Sequence, residues 1–464
     1  MRPRPVSSTR LAVSFITALI VANVSGPQYI YPAFGASLTT RFGWSALENS
    51  LVSTAPFVGV SFSGPLCAFM IERLGKRKTM LISAFLCFSG SFLLAQSYIG
   101  RLSHNVILCA FYLICTGIGG SASYLCALDS QAQNFKSHRG MSMGLTSASV
   151  GLCGLVFSQI NDFFFINKEN PNDNRIYGFL IFMAITMASG MILGSFFLVV
   201  QDQEEDEVDD VKPKNNHSND ISRVVIQSET SPLLQTKSTS LSGLKFFLHP
   251  AGFALFFTMF IVLGFGYVYL AGIGQMLMSL SQDPTVGSQH LRNIHVSIFS
   301  IGNCVSRALF GTLSDFLKRR FHIHRLWIFW SASLAFLLTT NFLVRSVDSA
   351  DDLLFGTIMM AIVYGAVFGV APASTAEFGT QVFVRNWGWL LYSPAFGSQI
   401  FNILFGILYD AQAKRQGAQF CKGAVCFQNT FLIGNVLGVA CLFVLGWAIA
   451  NQRSKKYLSV STST

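Results

Sequence analysis

The chain of 464 residues is strongly apolar and sparsely charged, with 51% hydrophobic residues, 12% charged residues and a mean hydropathy of +0.49. An ordinary globular domain has about 25% charged residues, so these figures exclude a cytosolic enzyme, a disordered protein and a nucleic-acid-binding module. The formal net charge of +10 therefore needs an explanation that involves a membrane.

Twelve apolar windows follow along the chain, each near the ~20 residues that an α-helix needs to cross a bilayer. The windows before residue 201 are Leu11–Tyr31, Leu47–Ile71, Thr79–Tyr98, Val106–Leu128, Met141–Ile160 and Ile176–Val200. The windows after residue 245 are Phe253–Ser279, Asn293–Phe316, Leu326–Val344, Leu353–Thr375, Trp387–Tyr409 and Asn429–Ala450. They predict an all-α membrane protein with 12 transmembrane helices.

The windows divide the chain into a cytosolic N-terminus (1–10), two six-helix bundles (11–200 and 246–451), a linker (201–245) and a cytosolic tail (452–464). The linker is acidic at its start and then rich in Ser, Thr and Asn, which predicts a disordered segment. Within it, Glu229, Leu233 and Leu234 fit an acidic dileucine sorting signal, whose two leucines would bind a vesicle-coat adaptor.

Lys and Arg predict the orientation, because cytosolic loops of membrane proteins carry an excess of these residues. With the N-terminus in the cytosol, 22 of the 32 Lys and Arg lie in cytosolic segments and nine lie on the opposite side. Both termini are therefore expected in the cytosol. The net charge is an orientation signal, and no nucleic-acid partner is expected. The remaining basic residue, Arg307, falls inside a window.

The two bundles repeat short patterns in the same order. Tyr29-Ile30-Tyr31 in the first window corresponds to Tyr267-Val268-Tyr269 in the seventh. Glu72 ends the second window and Asp315 ends the eighth, and each precedes a basic cluster. Parallel six-helix repeats predict a substrate site near the membrane midplane, between the two halves.

The loop after the second window carries the most specific pattern. Ala68-x-x-x-Glu72-Arg73-x-Gly75-Lys76-Arg77 resembles the signature of the major facilitator superfamily, G-x-x-x-D-R-x-G-R-R, with Ala for the first Gly and Glu for Asp. Gly311-x-Leu313-x-Asp315 resembles its second copy. The resemblance implies two pseudo-symmetric six-helix bundles (the major facilitator fold) that act as a secondary transporter of a small solute by alternating access.

A finer resemblance rests on the segments 297–315 and 392–398, the second of which reads Tyr-Ser-Pro-Ala-Phe-Gly-Ser. They make the chain similar to fungal monocarboxylate-transporter homologues of the vacuole and to plant nodulin-like proteins. This resemblance implies a multi-pass protein of the vacuolar (lysosome-like) membrane, which the sorting signal also favours.

Arg307 lies two turns before Asp315, roughly 12 Å into the membrane at ~1.5 Å per residue. A charge at such a depth costs about 3 kcal/mol to insert, so it should face the bundle interior or a wet cavity. One interpretation is an anchor for the carboxylate or other anionic group of a solute. The other is a structural Arg that binds backbone carbonyls or an acid. Monocarboxylate transporters carry a proton-coupling Asp where this chain has Asn303, so the resemblance makes proton coupling by that route doubtful.

Polar residues of the first and seventh windows are predicted to line the solute cavity, because Gly or Pro interrupts both windows. These residues are Asn23, Gln28, Tyr29, Tyr31, Tyr267, Tyr269 and Gln275. A location at the membrane interface, where Tyr is common, is the alternative.

Charged residues and glycines at the predicted cytosolic ends of the windows are expected to form a gate between the halves. They are Glu72, Arg73, Gly75, Asp129, Arg139, Gly311, Asp315, Glu377 and Arg385. Glu72 or Asp129 is expected to pair with Arg73 or Arg139. Glu377 is expected to pair with Arg385. The alternative is ordinary interfacial charge that contributes little.

Cys421 and Cys426 share one predicted non-cytosolic loop, where an oxidising compartment would permit a disulfide. No residue pattern for a metal, a cofactor or catalysis appears, so an enzyme is not expected. The expected state is a monomer whose partners are a small-molecule solute, membrane lipids and an adaptor. The alternative function is a sensor or receptor on a transporter scaffold, which would bind a solute without moving it.

Overall fold

The computed structural model describes residues 8–44, 46–165, 175–198, 241–280, 288–417 and 421–461. Within these ranges all regular structure is helical. The predicted sorting residues Glu229, Leu233 and Leu234 lie outside them.

The first half contains spans 1 to 6. Span 1 is Ser8–Val24 and continues through Pro27–Ile30, Tyr31–Ala33 and Gly35–Phe42. Span 2 consists of Ala46–Phe62 and the first part of the element Gly64–Tyr98, whose second part is span 3. Spans 4, 5 and 6 are Val106–Asn134, Arg139–Phe164 and Ile176–Phe197.

The second half contains spans 7 to 12, preceded by the short helix Leu244–Leu248. Span 7 is Pro250–Thr258, the π-helical turn Met259–Leu263 and Gly264–Leu280. Spans 8, 9 and 10 are Ser288–Phe321, Leu326–Arg345 and Ala350–Ala376. Span 11 is Phe383–Leu390 followed by Tyr392–Arg415, and span 12 is Val425–Ser461.

Gly75 of the signature loop separates spans 2 and 3. Its φ of +77° and ψ of 164° lie in a region that side chains with a Cβ rarely adopt, so the tight reversal needs glycine. Span 1 is broken at Gly26, after which Pro27 starts the next helical turn. Pro fits there because the first residues of a helix have no intrahelical partner for their N–H groups.

In the described ranges, ten helices are long and apolar enough to cross a membrane, and the shorter apolar helices Ser8–Val24 and Leu51–Phe62 belong to spans 1 and 2. The prediction of an all-α major facilitator fold with two six-helix halves is confirmed. Two predicted boundaries differ from the structure. Span 12 continues beyond residue 452, and residue 245 lies inside the helix Leu244–Leu248. The reason is that apolarity marks where the membrane segment ends, whereas backbone hydrogen bonds decide where the helix ends.

The two halves meet along spans 5 and 8 and along spans 2 and 11, and glycines bring the backbones together in both places. A Cβ added to Gly311 would collide with the Gly140 carbonyl, and one added to Gly64 would collide with the Gly388 carbonyl. Both contacts lie towards the end of the bundle where span 1 begins, called the basic end below; the other is the far end. The halves are therefore closed against each other at the basic end.

Candidate functional site

Arg307 lies between the two halves and is only 2% exposed. Its Nε donates to Oδ1 of Asn303 at 2.9 Å, one turn earlier on span 8. Its Nη1 donates across the interface to the carbonyl and Oγ of Ser147 on span 5, at 3.0 and 3.2 Å. Its Nη2 is buried and has no hydrogen-bond partner in the part of the chain that the structure describes. The bond from Nη1 to a backbone carbonyl fits the interpretation as a structural Arg. The nitrogen Nη2, which has no partner among the described residues, fits the interpretation as an anion anchor.

Aromatic rings of span 10 cover the guanidinium of Arg307. Its Cζ is 4.5 Å from the centre of the Phe368 ring and 6.0 Å from that of Tyr364. A cation over an aromatic face is attracted by about 0.5–2 kcal/mol. In the described chain, no Asp or Glu lies within ion-pair distance of Arg307. The charge is thus held by neutral groups, which leaves its electrostatic attraction available to an anion.

Two of the predicted cavity residues, Tyr267 and Tyr29, lie where the two halves face each other, and Gln28 precedes Tyr29 in the chain. The Tyr267 ring of span 7 stacks on the Phe57 ring of span 2, with ring centres 4.9 Å apart. Tyr29 lies within electrostatic range of Tyr267 and Tyr364. Gln28 holds a buried Oε1 without a partner. Spans 1, 2, 7 and 10 therefore bring polar and aromatic groups together on the side of Arg307 away from the basic end.

The other predicted cavity residues lie elsewhere. Asn23 donates to the Ser149 carbonyl of its own half at 3.1 Å. Tyr31 is buried and contacts Phe34, with ring centres 5.2 Å apart. Tyr269 is buried in the second half, where its hydroxyl reaches Thr357 and the Leu353 carbonyl. Gln275 is exposed.

Asp315 closes the contact between spans 5 and 8. Its two oxygens accept hydrogen bonds from the backbone N–H groups of Gly140 and Met141, at 2.9 and 2.8 Å. These groups belong to the first turn of span 5, where the helix dipole favours a negative charge. Asp315 is 2% exposed and also binds the buried guanidinium of Arg325.

Glu377, at the end of span 10, belongs to the same cluster. It binds Arg325 Nη1 at 2.8 Å and Lys318 Nζ, and His324 Nε2 lies 3.6 Å from it. Burial raises the pKa of Glu377, but the charges of Arg325 and Lys318 outweigh burial, and the net shift of its pKa is downward. The predicted pairing of Glu377 with Arg385 is therefore wrong, because Lys318 in the last turn of span 8 and Arg325 just before span 9 are nearer cations.

Arg385 instead crosses to the other half. Its Nε and Nη2 donate to the two carboxylate oxygens of Glu72 at 3.0 and 2.9 Å, a two-pronged pair at the end of span 2. This pair is exposed, with 49% of the Arg385 side chain and 30% of the Glu72 side chain accessible.

The predicted partners of Asp129, Arg73 and Arg139 are also wrong. Asp129 pairs with Lys76 within the first half at 2.7 Å, because Gly75 turns the start of span 3 towards span 4. Arg73 lies over the Phe69 ring at 5.7 Å. Arg139 donates to the carbonyls of Ala132 and, across the interface, Ala376, both at 3.3 Å.

Several residues that shape the site gave no distinct signal in the sequence. Ser147 and Phe368 looked like ordinary small and apolar residues of their windows. Lys318 and Arg325 resemble loop charges that only set the orientation, and Lys76 is part of the signature, but nothing in the sequence indicates its pairing with Asp129. At the far end, Cys421 and Cys426 are joined by a disulfide that closes the loop before span 12.

Comparisons with known proteins agree with this architecture. The family profile described as Major Facilitator Superfamily matches residues 12–379. "Probable transporter mch1" of Neurospora crassa is 23% identical over 553 aligned residues, which cover 96% of this chain and 90% of that protein. An uncharacterised membrane protein of Saccharomyces cerevisiae is 22% identical, with 93% of each chain covered.

Two solved structures share the fold. One is the proton:xylose symporter XylE bound to 6-bromo-6-deoxy-D-glucose, with a TM-score of 0.66, 13% identity and coverage of 94% of this chain and 95% of that one. The other is FucP in its outward conformation, with a TM-score of 0.60, 12% identity and coverage of 94% and 98%.

Proposed function

Since the chain belongs to the Major Facilitator Superfamily, we propose that it is a secondary transporter that moves a small organic anion across the vacuolar membrane by alternating access. The observation that carries the anionic part of this proposal is Arg307, a buried guanidinium between the halves that has no carboxylate partner among the described residues and whose Nη2 makes no hydrogen bond to them. A carboxylate accepts two parallel N–H bonds from such a group.

The contacts of Arg307 also supply a way to link binding to movement. Its Nη1 holds the Ser147 carbonyl of the opposite half, and Nη2 lies beside that contact on the same guanidinium. A solute carboxylate that binds both nitrogens competes with Ser147 for Nη1. Solute binding would then weaken one bond between the halves, which is the differential contact that a population shift requires.

The anchor is tested with purified protein in vesicles. The probes are radiolabelled pyruvate, benzoate and citrate, which differ in size and in their number of carboxylates. Arg307→Gln should abolish saturable uptake, and Arg307→Lys should restore little, because a lysine ammonium cannot make the two-pronged contact. Arg345→Gln at the exposed end of span 9 is the matched control and should transport like the wild type.

Unchanged uptake by Arg307→Gln would reject the anchor. Saturable binding of a probe without flux in the wild type would reject transport and favour a sensor. Size-exclusion profiles that match the wild type establish that the variants are folded.

The vacuolar location is proposed from the dileucine pattern at Glu229, Leu233 and Leu234. Replacing both leucines by Ala should redirect a fluorescently tagged protein to another membrane, because the adaptor pocket binds the two side chains. Glu229→Gln should redirect it less. An unaltered location of the double variant would contradict the signal. We also propose both termini in the cytosol and a monomer as the working unit.

A further inference from the structure

A buried histidine lies on span 8, and neither the anion anchor nor the basic-end contacts use it. His295 is 1% exposed and precedes Arg307 by three turns, roughly 18 Å towards the far end at ~1.5 Å per residue. An ionisable side chain buried within a membrane bundle is expensive to keep and marks ion pathways or proton relays. The surroundings of His295 therefore indicate what it can bind.

His295 shares a small hydrogen-bonded cluster with spans 7 and 10. Its Nδ1 lies 2.6 Å from Oγ1 of Thr357. The Thr357 hydroxyl lies 3.0 Å from the Leu353 carbonyl and 2.7 Å from the hydroxyl of Tyr269, which itself lies 3.1 Å from that carbonyl. His295 Nε2 is buried and has no hydrogen-bond partner among the side chains that the structure describes.

The protons of this cluster have two consistent arrangements. In the first, Tyr269 donates to Thr357, Thr357 donates to the Leu353 carbonyl, and His295 Nδ1–H donates to Thr357. Nε2 is then a bare lone pair. In the second, Tyr269 donates to the carbonyl and Thr357 donates to Nδ1, so Nε2 carries an unpartnered hydrogen. A buried polar group without a partner is costly, and only the first arrangement leaves Nε2 with a lone pair that can accept a proton.

The charged groups that the structure describes on the spans packed against His295 do not contact its imidazole. Span 7 presents Tyr269, and Gly264–Leu280 carries no Asp, Glu, Lys or Arg. Span 10 presents Thr357, and its acidic residues Asp351 and Asp352 lie at its first turn, where Asp352 binds Ser349. Among the described side chains, none forms an ion pair with His295. Asp162 of span 5 and Arg292 of span 8 have side chains outside the described set.

We propose that Nε2 of His295 binds a proton during the transport cycle, so that the coupling ion is H⁺. A proton from the far-end compartment adds to the Nε2 lone pair, while Nδ1–H stays bound to Thr357. The product is an imidazolium, and the same Nε2–H bond breaks when the proton leaves. This site differs from the Asn303 position, which cannot titrate. The assignment rests on the proposed function, because a coupling proton has meaning only in a transporter.

The decisive variant is His295→Asn. The Asn amide occupies the place of Nδ1 and keeps a hydrogen bond to Thr357, but nothing replaces Nε2. A merely structural histidine would therefore tolerate this change. His104→Asn is the control, because His104 is an exposed histidine of the far-end loop between spans 3 and 4.

The readout is the charge displaced when vesicles that carry the full chain, adsorbed on an electrode, receive a pH step with no solute present. Wild type and His104→Asn should give a displacement that titrates with pH, and His295→Asn should give one about tenfold smaller. An equal displacement from His295→Asn, or none from the wild type, overturns the site. If His295→Asn does not fold, Thr357→Val should move the midpoint, and an unmoved midpoint overturns the site.

Arg307→Gln separates this proposal from the proposed function. It should lose probe uptake and keep the displaced charge, since Arg307 and His295 share no contact. Loss of the displaced charge in Arg307→Gln would overturn an independent proton site. A wild type that transports the probes while His295→Asn keeps full displacement would retain the anion transporter and reject the proton site.

Discussion

Two contacts close the basic end with the same backbone geometry and with different electrostatics. Spans 5 and 8 meet at Gly140 and Gly311, and spans 2 and 11 meet at Gly64 and Gly388. The acid of the first contact, Asp315, is buried and binds backbone amides as well as a buried arginine. The acid of the second, Glu72, is exposed and binds an exposed arginine.

Two copies of the same sequence pattern can therefore form contacts of different stability. Exposed ion pairs contribute roughly 0–1 kcal/mol because water and salt screen them. Breaking a buried pair by removing one partner costs about 3–5 kcal/mol because the other charge stays behind. We therefore expect the contact between spans 5 and 8 to be the more stable side of the gate. Spans 2 and 11 should separate first when the basic end opens.

The largest effect is expected from Asp315→Asn. The amide removes one of the two carboxylates that bind Arg325, which leaves only Glu377, and it offers one acceptor oxygen where the two amides of span 5 had two. The apparent melting temperature of the detergent-purified protein should fall by roughly 3 °C or more, which corresponds to at least ~3 kcal/mol. Glu72→Gln is the comparison variant. An equal fall in both would contradict the difference between the two contacts.

An intermediate effect, equal in size on both sides, is expected where the contacts are alike. Gly311→Ala and Gly64→Ala each force a methyl group against a carbonyl of the opposite half. Overpacking of this kind costs about 1–3 kcal/mol, and both variants should lower the melting temperature and shift the gate towards the open state. Gly406→Ala of span 11 is the control, because its Cβ meets no atom within 4 Å. If Gly311→Ala and Gly64→Ala lowered the melting temperature by clearly different amounts, the two backbone contacts would also differ.

The sequence predicts the fold and the positions of the charged residues along it, but not which residues they pair with. The length and apolarity of the windows predict spans because each span satisfies its own backbone hydrogen bonds. Partners come from the packing of helices that are far apart in sequence. Arg385 finds Glu72 rather than Glu377 because Gly64 and Gly388 bring spans 2 and 11 together.

The same limit applies to the candidate solute site. A charge inside an apolar window identified Arg307 without structural help. Tyr267 and Tyr269 are two residues apart, yet only Tyr267 stacks across to the other half, while Tyr269 turns to Thr357. Residues two apart on a helix point in different directions, and the sequence does not say which direction faces the partner half.

A small effect is expected from the exposed pair. Glu72→Gln and Arg385→Gln should each lower stability by at most ~1 kcal/mol, and the difference should shrink at high salt. The double variant should resemble either single one, because the interaction is already lost in each. A double-mutant cycle that yields a coupling energy of ~3 kcal/mol, as for a buried pair, would contradict the screened contact.

The smallest expected effect is a pH dependence of stability, and we expect it only on the side of the gate formed by spans 5 and 8. Burial lowers the pKa of His324, and the pull of Glu377 in the opposite direction does not restore it. The unfolded chain therefore binds more protons than the folded one as pH falls below about 6.5, so stability should decrease from there downward. The pKa of Glu377 is also lowered, so its contribution is lost only in more acidic solution. His324→Gln should weaken the fall of the melting temperature with pH below about pH 6.5, whereas His322→Gln, which changes an exposed neighbour, should leave the slope intact. An equal slope in His324→Gln would place the pH dependence elsewhere.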